Sequence, residues 1–346
     1  MGLVKPEFTV GSEKRFADFI SGLGNEKIAL ISHTDLDGIA SARIIDEVVK
    51  PDMIKFLDYP ELDDKLVFKL KEEKIKKVIF SDLTVEESGI IKDIEKFAEV
   101  LVIDHHIFKE DFNSDKCVFM NCSGKGFCAA YLCYYLFSKI QDLEKWDWFV
   151  SFASIADWCS RSNWSWLAGI VEKFDGKMEC EEFHDNLKKT KSFEYVNIIS
   201  YSLIYFQYDK RKVYDSLKDI NGIESLRGYY EEVKKEIDRV VNEFGEKRIE
   251  LLEGYFYEIN PRYEIKSIVA TAISTLIEGR LLIIGIEEGD IFKISARRQD
   301  GKMNLNDVLK NLVSGLEGKA GGHRNAAGGH VSLKDKDEFI RRVKNL

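Results

Sequence analysis

The sequence predicts an α/β protein in three parts: a larger domain built on a parallel sheet, a helical connector, and a smaller α/β domain at the C-terminal end. Three observations predict this. Short apolar runs of strand length alternate with helical patterns from Lys27 to His106, the order of repeated βαβ units. Several of those runs end abruptly in Asp or His. A long amphipathic pattern is then followed by a fresh series of strand and helix signals.

Taken in order, residues 14–23 read as a short helix. Lys27-Ile-Ala-Leu-Ile31 is an apolar strand that runs into His33, Asp35 and Asp37 before Gly38 opens a helix. Ser41, Ile44, Ile45, Val48 and Val49 give that helix its spacing, and Pro51 ends it. Residues 53–59 form a strand and residues 63–73 a charged helix. The third strand, Lys77-Val-Ile-Phe80, runs into Ser81-Asp82, and a helix follows over 86–97. The fourth, Val100-Leu-Val-Ile103, delivers Asp104-His105-His106.

Open parallel sheets bind ligands at the carboxyl ends of their strands, where these three strands each place Asp or His. Each residue also has a plainer reading. Asp35 and Asp37 fit a solvated turn with a helix cap, and Asp82 fits a cap after a strand. The alternative is convergence. Carboxylates two residues apart on a turn that Gly38 permits share one point, and like charges so placed need protons or cations between them. Adjacent histidines behind a buried strand fit ligand or acid/base roles.

Residues 117–120 continue as a strand and 129–140 as an apolar helix. A second apolar helix over 148–157 closes in Asp157, which must be paired, capped or a ligand, because an isolated buried carboxylate is too costly. All five tryptophans fall between Trp146 and Trp166, with Arg161 among them, a pattern of helix packing or of base stacking. Residues 180–217 read as mixed helix without chemistry. Leu226, Tyr229, Val233, Ile237, Val240, Val241 and Phe244 make a long amphipathic helix ended by Gly245. The domain limits read 1–190, 191–248 for the connector, and 249–346. The last part carries strands at 255–259, 281–286, 291–295 and 330–333 and helices at 267–277, 306–316 and 336–343. Its polar features are Ser295-Ala-Arg297-Arg298 at a strand end and the segment Gly321-Gly322-His323 through His330, which reads as a phosphate contact or as a flexible turn.

Composition narrows the function classes. At 346 residues with 45% hydrophobic and 32% charged residues, the chain has the make-up of a globular protein. No apolar run approaches the ~20 residues of a membrane span, and the first residues lack the apolar centre of a secretory leader, so no membrane is expected and the location reads as cytoplasmic. Six cysteines without a C-x-x-C pair read as reduced core thiols. A net charge of −9 argues against a broad electrostatic grip on nucleic acid, though not against a narrow basic groove or a metal site that binds phosphate.

Assembled, these motifs resemble the DHH phosphoesterase superfamily, named for the triplet that here is Asp104-His105-His106. Ser32 to Gly38 (SHTDLDG), Asp82, the triplet and Asp157 stand in the family's order, and Gly321 to Gly328 matches the Gly-Gly-His-x-x-Ala-Ala-Gly pattern of the DHH-associated domain. The resemblance implies two divalent ions, Mn²⁺ preferred and Mg²⁺ acceptable to the same site. Asp35 and Asp82 would hold one ion and Asp37, Asp82, His105 and Asp157 the other, with Asp82 shared, catalytic and central. His33 stands where family members vary. His106 would be the catalytic acid or charge stabiliser beside the scissile phosphate, and Asp104 its support. Arg297, Arg298, Gly321, Gly322 and His323 would bind substrate, Arg298 standing where the family carries a serine, and the resemblance implies an active site in the cleft between the parallel-sheet domain and the smaller α/β domain.

The function this implies is a RecJ-like exonuclease on single-stranded DNA or RNA, working by two-metal hydrolysis, with a replication or repair protein as partner. Two ions about 4 Å apart can lower the pKa of a shared water and neutralise the leaving oxygen. A phosphodiesterase of short oligonucleotides, dinucleotides or cyclic-dinucleotide products is the alternative within the superfamily. A non-catalytic replication scaffold is a third, against which the retained acidic residues weigh.

Overall fold

The structure, a computed structural model, describes residues 2–86 and 89–346. Residues 87 and 88, inside the helix expected over 86–97, lie outside that description. By internal contacts the chain divides into two compact units, Met1–Tyr230 and Glu231–Leu346.

The first unit carries a five-stranded, all-parallel sheet. Its elements are α1 (Glu13–Ser21), β1 (Ile28–Ser32), α2 (Leu36–Val49), β2 (Met53–Phe56), α3 (Asp64–Glu72), β3 (Lys77–Ser81), α4 (Ile90–Ile94), β4 (Glu99–Asp104) and β5 (Cys117–Asn121). The helices α5 (Ala129–Phe137), α6 (Asp147–Ala156), α7 (Trp164–Asp175), α8 (Cys180–Asp185), α9 (Lys191–Tyr205) and α10 (Lys210–Ser216) follow, and α11 (Gly222–Lys247) crosses into the second unit. The apolar strands are continuous rather than alternating because both faces are covered. Leu30, Ile79, Leu101 and Ile103 point into a core shared with α2, α5 and α6, while Ala29, Ile31, Val78, Phe80, Val100 and Val102 point into a second core beneath α3 and α4.

Strand order is β2-β1-β3-β4-β5. The chain leaves β1 for one neighbour, β2, and returns to the other side as β3. The crevice at the carboxyl ends of β1 and β3 is therefore the topological switch point, the standard ligand position in such sheets. The two strand ends are tied together: Ser32 Oγ and Ser81 Oγ stand 2.7 Å apart, and His33 N donates to Ser81 O at 3.3 Å. Ser32 Oγ also donates to Gly38 O at 2.7 Å, closing the turn between β1 and α2.

The second unit holds β6 (Ile249–Glu250), β7 (Gly254–Glu258), α12 (Lys266–Leu276), β8 (Leu281–Glu288), β9 (Ile291–Arg297), α13 (Leu305–Val313), β10 (Gly318–Gly322), β11 (Ala326–Ser332) and α14 (Lys336–Val343). Its six-stranded sheet has the order β10-β11-β9-β8-β7-β6, with β7 and β8 parallel and the other pairs antiparallel. Phe256, Ile283, Phe292, Ile294, Ala327 and Val331 face a core filled by Leu305, Leu309 and Phe339 of α13 and α14. On the other face α12 packs against β8 and β9.

Some limits differ from the sequence reading. Gly245 does not end α11, which runs on to Lys247, where Lys247 pairs with Glu243 at 2.8 Å within the last turn. The connector expected over 191–248 begins with α9 and α10, which fall in the first unit, and ends with α11, which runs on into the second. The glycine segment is not a flexible turn. Gly321 and Gly322 end β10, and β11 begins at Ala326, four residues before the expected strand. The expected helix over 86–97 is regular over Ile90–Ile94.

Gly38 sits in the first turn of α2 with no room for a side chain: an added Cβ would lie 2.4 Å from His33 O and 2.8 Å from His33 Cα. That contact is with backbone, so relief requires moving the loop itself. Gly38→Ala should lower unfolding stability by roughly 1–3 kcal/mol, the usual range for overpacking, as read by urea denaturation. A midpoint equal to wild type would show that the His33 loop is free to shift.

Candidate metal centre

Four segments of the first unit deliver the acidic and imidazole groups to one place. The turn after β1 supplies His33, Asp35 and Asp37, the end of β3 supplies Asp82, the end of β4 supplies Asp104, His105 and His106, and the C-terminal end of α6 supplies Asp157. The strand ends bring these residues together because their registers are shared: Ser32 pairs with Ser81, and Ser81 with Ile103.

His105 is the hub. Its Nε2 lies 3.2 Å from Asp157 Oδ2, 3.3 Å from Asp82 Oδ1 and 3.7 Å from Asp37 Oδ2. His33 forms a second group, with Nδ1 3.1 Å from Asp35 Oδ2 and 3.6 Å from Asp82 Oδ2. Asp82 stands between them, one oxygen toward each histidine. His106 Nδ1 is 2.8 Å from Asp104 Oδ1, and Asn121 Nδ2 donates to the His106 carbonyl at 3.0 Å, so both ring and backbone of His106 are held.

The plain readings and the ligand readings are both realised. Asp35 caps α2 by accepting from Gly38 N at 3.0 Å through Oδ1, leaving Oδ2 for His33. Asp37 accepts from Ala129 N and Ala130 N, each at 2.8 Å, and so caps α5, an element about ninety residues away in sequence. Capping fixes these carboxylates in orientation without neutralising them.

The electrostatics show the strain of that assembly. Burial, and then the charge of Asp35, push Asp82 well above the usual carboxylate range. Burial, and then Asp82 and Asp157, do the same to Asp37. Burial also raises Asp157, with His105 opposing. For His33, burial works against the imidazolium, but Asp35 and Asp82 outweigh it and hold the group up at about 11. Asp82 Oδ1 and His33 Nδ1 are buried without a hydrogen bond of good geometry. Buried carboxylates that repel one another, orphaned oxygen and nitrogen atoms, and a mixed Asp/His donor set are the features of a site for divalent cations. The residues present therefore fit that group.

Three neighbours were not singled out by sequence. Asp58, just beyond β2, has Oδ1 3.8 Å from His33 Nε2; it carries the same signal of an acid past a strand, masked by reading the strand through residue 59. Tyr59 lays its ring 5.3 Å from that of His33. Cys159 groups with His105 and Asp157, and burial and the nearby Asp157 raise its thiol far above the ordinary range.

The substrate residues expected in the second unit fall on its sheet. Arg297 pairs with Ala326 across β9 and β11, and the Ala326 carbonyl accepts from His323 N at 2.7 Å, so Arg297 and His323 flank Ala326 from opposite sides. Gly322 has φ +144, and an added Cβ would lie 2.5 Å from Ala327 Cα, so only glycine fits there. Gly321 opens onto free space. Arg297 is partly buried and faces no carboxylate among the described residues, its Nη1 donating to Ala296 O at 2.9 Å. Arg298 is tied down instead, to Asp300 at 2.8 Å and Glu253 at 3.1 Å. Registers add a row that the sequence hid: Lys319 pairs with His330 and His330 with Lys293, two residues along each strand from the row of Gly321, Gly328 and Ser295. Lys266 at the start of α12 donates to Ile294 O at 3.2 Å; burial, then Lys293 and Arg297, push it down to about 8.

The sequence matches the DHH family N-terminal domain over residues 27–154 and the DHHA1 domain over residues 255–346. No curated protein matches it in sequence. Among solved structures, a DHH-domain protein described as a member of a family of ribosomal proteins matches with a TM-score of 0.70 at 17% identity, over 96% of this chain and 90% of that one. RecJ from Thermus thermophilus in complex with Mn²⁺ matches at 0.72 and 14% identity over 99% of this chain, which spans 55% of that longer protein. The pGpG-specific phosphodiesterase PggH of Vibrio cholerae matches at 0.53 and 12% identity, over 92% and 98% of the two chains. At such identities the likeness is one of fold.

The repulsion around Asp82 gives a stability prediction. A carboxyl whose pKa is raised on folding makes the folded state take up protons, so stability falls as pH rises above the unfolded value near 4. Asp82→Asn removes that charge and suits the left-handed backbone at φ 57, a region where Asn is common. In chelator at neutral pH its unfolding midpoint should exceed that of wild type, and the gap should close as pH falls toward about 4. A midpoint below wild type at neutral pH would show that Asp82 is satisfied within the protein itself.

Proposed function

The chain belongs to the DHH family of phosphoesterases and carries its DHHA1 domain, and from that premise we propose that it is a metal-dependent phosphodiesterase acting as an exonuclease on single-stranded nucleic acid. The observation that carries the proposal is Asp82, buried, without a hydrogen bond for Oδ1, and set between His33 and His105. Such a group is a shared ligand in waiting. Asp35 and Asp82, with His33, would hold one divalent ion; Asp37, Asp82, His105 and Asp157 would hold a second. When bound, divalent ions supply Lewis acidity at the phosphoryl oxygens and acidify water. The mixed imidazole and carboxylate donors favour Mn²⁺ over Mg²⁺, which prefers oxygen alone.

The protein's own groups supply the rest. His106 is the most open of the three site histidines, and the Asp104 hydrogen bond favours its imidazolium against the opposing effect of burial. With Nδ1 committed to Asp104, Nε2 is the edge free to donate to a phosphate oxygen or leaving group. In the second unit Arg297, His323 and the open backbone of Gly321 would bind a phosphate that does not react. Lys319, His330 and Lys293, the last paired with Glu288, lie two residues along the strands from Gly321 and four, about 14 Å at ~3.4 Å per residue, from Arg297 and His323, where Lys319 would face a phosphate further along the substrate.

A second reading shares the site but limits the substrate to short oligonucleotides or dinucleotides; the fold it has in common with a pGpG-specific phosphodiesterase supports keeping it. Hydrolysis assays with Mn²⁺ on dinucleotides, short oligomers and long linear or circular single strands choose between them. The exonuclease reading expects long linear strands to be shortened from an end and circles to survive. Hydrolysis confined to substrates of about two to five nucleotides would move the assignment to the second reading. In either case Asp82→Asn should lose more than about a hundredfold in turnover, beyond the usual effect of changing a residue that only supports a ligand. Turnover within tenfold of wild type would overturn the shared-ligand assignment.

Arg297→Ala and His323→Ala should act mainly on KM, because contacts to a non-reacting phosphate are equally strong in ground and transition states. Steady-state kinetics in which kcat falls while KM stays constant would move both residues to the reacting centre.

A further inference from the structure

The tryptophan cluster resolves into two kinds of residue. Trp146, Trp148 and Trp166 are buried in the core of the first unit, and Trp164 packs against Phe183 with ring centroids 5.2 Å apart. Trp158 differs: it is 72% exposed and stacks on no other ring among the described residues. It directly follows Asp157, whose Oδ2 is 3.2 Å from His105 Nε2.

Its backbone makes the placement pointed. Cys159 N donates to Ser154 O at 2.9 Å across the end of α6, the closing bond of a Schellman turn, and Trp158 occupies the left-handed position of that turn with φ 55. Glycine is the ordinary residue there, since a side chain in this region is strained. An indole in its place gains nothing from burial and adds local strain, so neither helix termination nor packing accounts for it. Strain of this kind collects at functional sites. A second exposed apolar residue, Ile107, 82% exposed, follows His106 in the same way.

Resting on the phosphodiesterase reading above, we propose that Trp158 is the stacking platform for the nucleobase beside the scissile phosphate, with Ile107 as a further apolar contact. Consecutive α-carbons are about 3.8 Å apart, so the indole is anchored on the backbone directly beside the residue that carries the Asp157 carboxylate. A phosphate held at the metal centre brings its own base along, and the π-face of an exposed indole accepts any base. The platform thus gives grip without sequence choice, and it favours an unpaired base over one already stacked in a duplex.

The test measures binding rather than turnover. Fluorescence anisotropy with full-length protein in Ca²⁺ would compare a labelled short single strand with the same strand made abasic at one terminal position after another. Trp158→Ala should weaken binding of the intact strand roughly tenfold, Trp158→Phe should restore most of it, and the difference should vanish on the one abasic strand that lacks the stacked base. Trp158→Gly guards against misfolding: it suits the turn, so it should unfold no earlier than wild type and yet bind as weakly as the alanine variant. Unchanged affinity in these variants, or an equal loss on every abasic strand, overturns the platform while leaving the phosphodiesterase reading in place. Loss of self-association in the variants, with strand affinity intact, also overturns it by making Trp158 a contact between copies. Absence of any strand binding by wild type overturns both readings.

Discussion

Crowding of like charge at the carboxyl edge of a buried parallel sheet is the constraint on which the first unit is built. Asp37 and Asp82 are buried, Asp157 is half-buried, and each is held by chain geometry rather than by attraction to the others. Repulsion of this size would scatter the groups if the strands were free to move. They are not, because the sheet is covered on both faces by apolar cores and its strand ends are stapled by Ser32 and Ser81. The apolar fold therefore supplies the free energy that keeps the site assembled, and the site in turn has an unmet demand for positive charge. The histidines and the α5 amides meet part of it.

How much of this was legible in the sequence follows from where each signal resides. The strands could be read because burial on both faces leaves continuous apolar runs, and the site could be read because its residues stand where those runs stop. Long-range pairing could not. Nothing in Asp37 announces that it caps a helix starting at Ala129, and nothing in Lys266 announces Arg297 as a neighbour. The hairpin of β10 and β11 was obscured for another reason: glycine has low β-propensity, so a Gly-rich segment reads as a turn even where tertiary pairing makes it a strand. Its register then decides the chemistry, since only pairing reveals that Lys319, His330 and Lys293 share a row. Gly245 misled in the opposite sense, because helix continuation through glycine carries only a modest penalty when neighbouring turns hold the helix in place.

The two units thus differ in the local charge they gather. The first unit concentrates carboxylates that become attractive to phosphate only through cations. The second offers an arginine with no carboxylate partner among the described residues and, four residues along the sheet, a row of Lys319, His330 and a Lys293 that pairs with Glu288. With a net charge of −9, the chain repels polyanions at a distance, so affinity must come from a few close contacts. A short contact footprint neutralises few phosphates and releases few counterions, which implies a shallow dependence of binding on salt.

Backbone strain follows the same geography. Five residues other than glycine have positive φ among those described, and two of them, Asp82 and Trp158, lie in or beside the metal centre. Asp82 gains from its conformation: the left-handed turn directly after β3 lets its two oxygens address His33 and His105 at once, as an extended residue continuing the strand would not. Trp158 makes the same argument in apolar terms. A turn that glycine would close more easily is closed by the largest side chain, and that side chain is left in water. Both positions give up local stability, Asp82 for the reach of its two oxygens and Trp158 for an indole held out in water. The strained positions, more than the bulk composition, mark where this fold is arranged for a ligand.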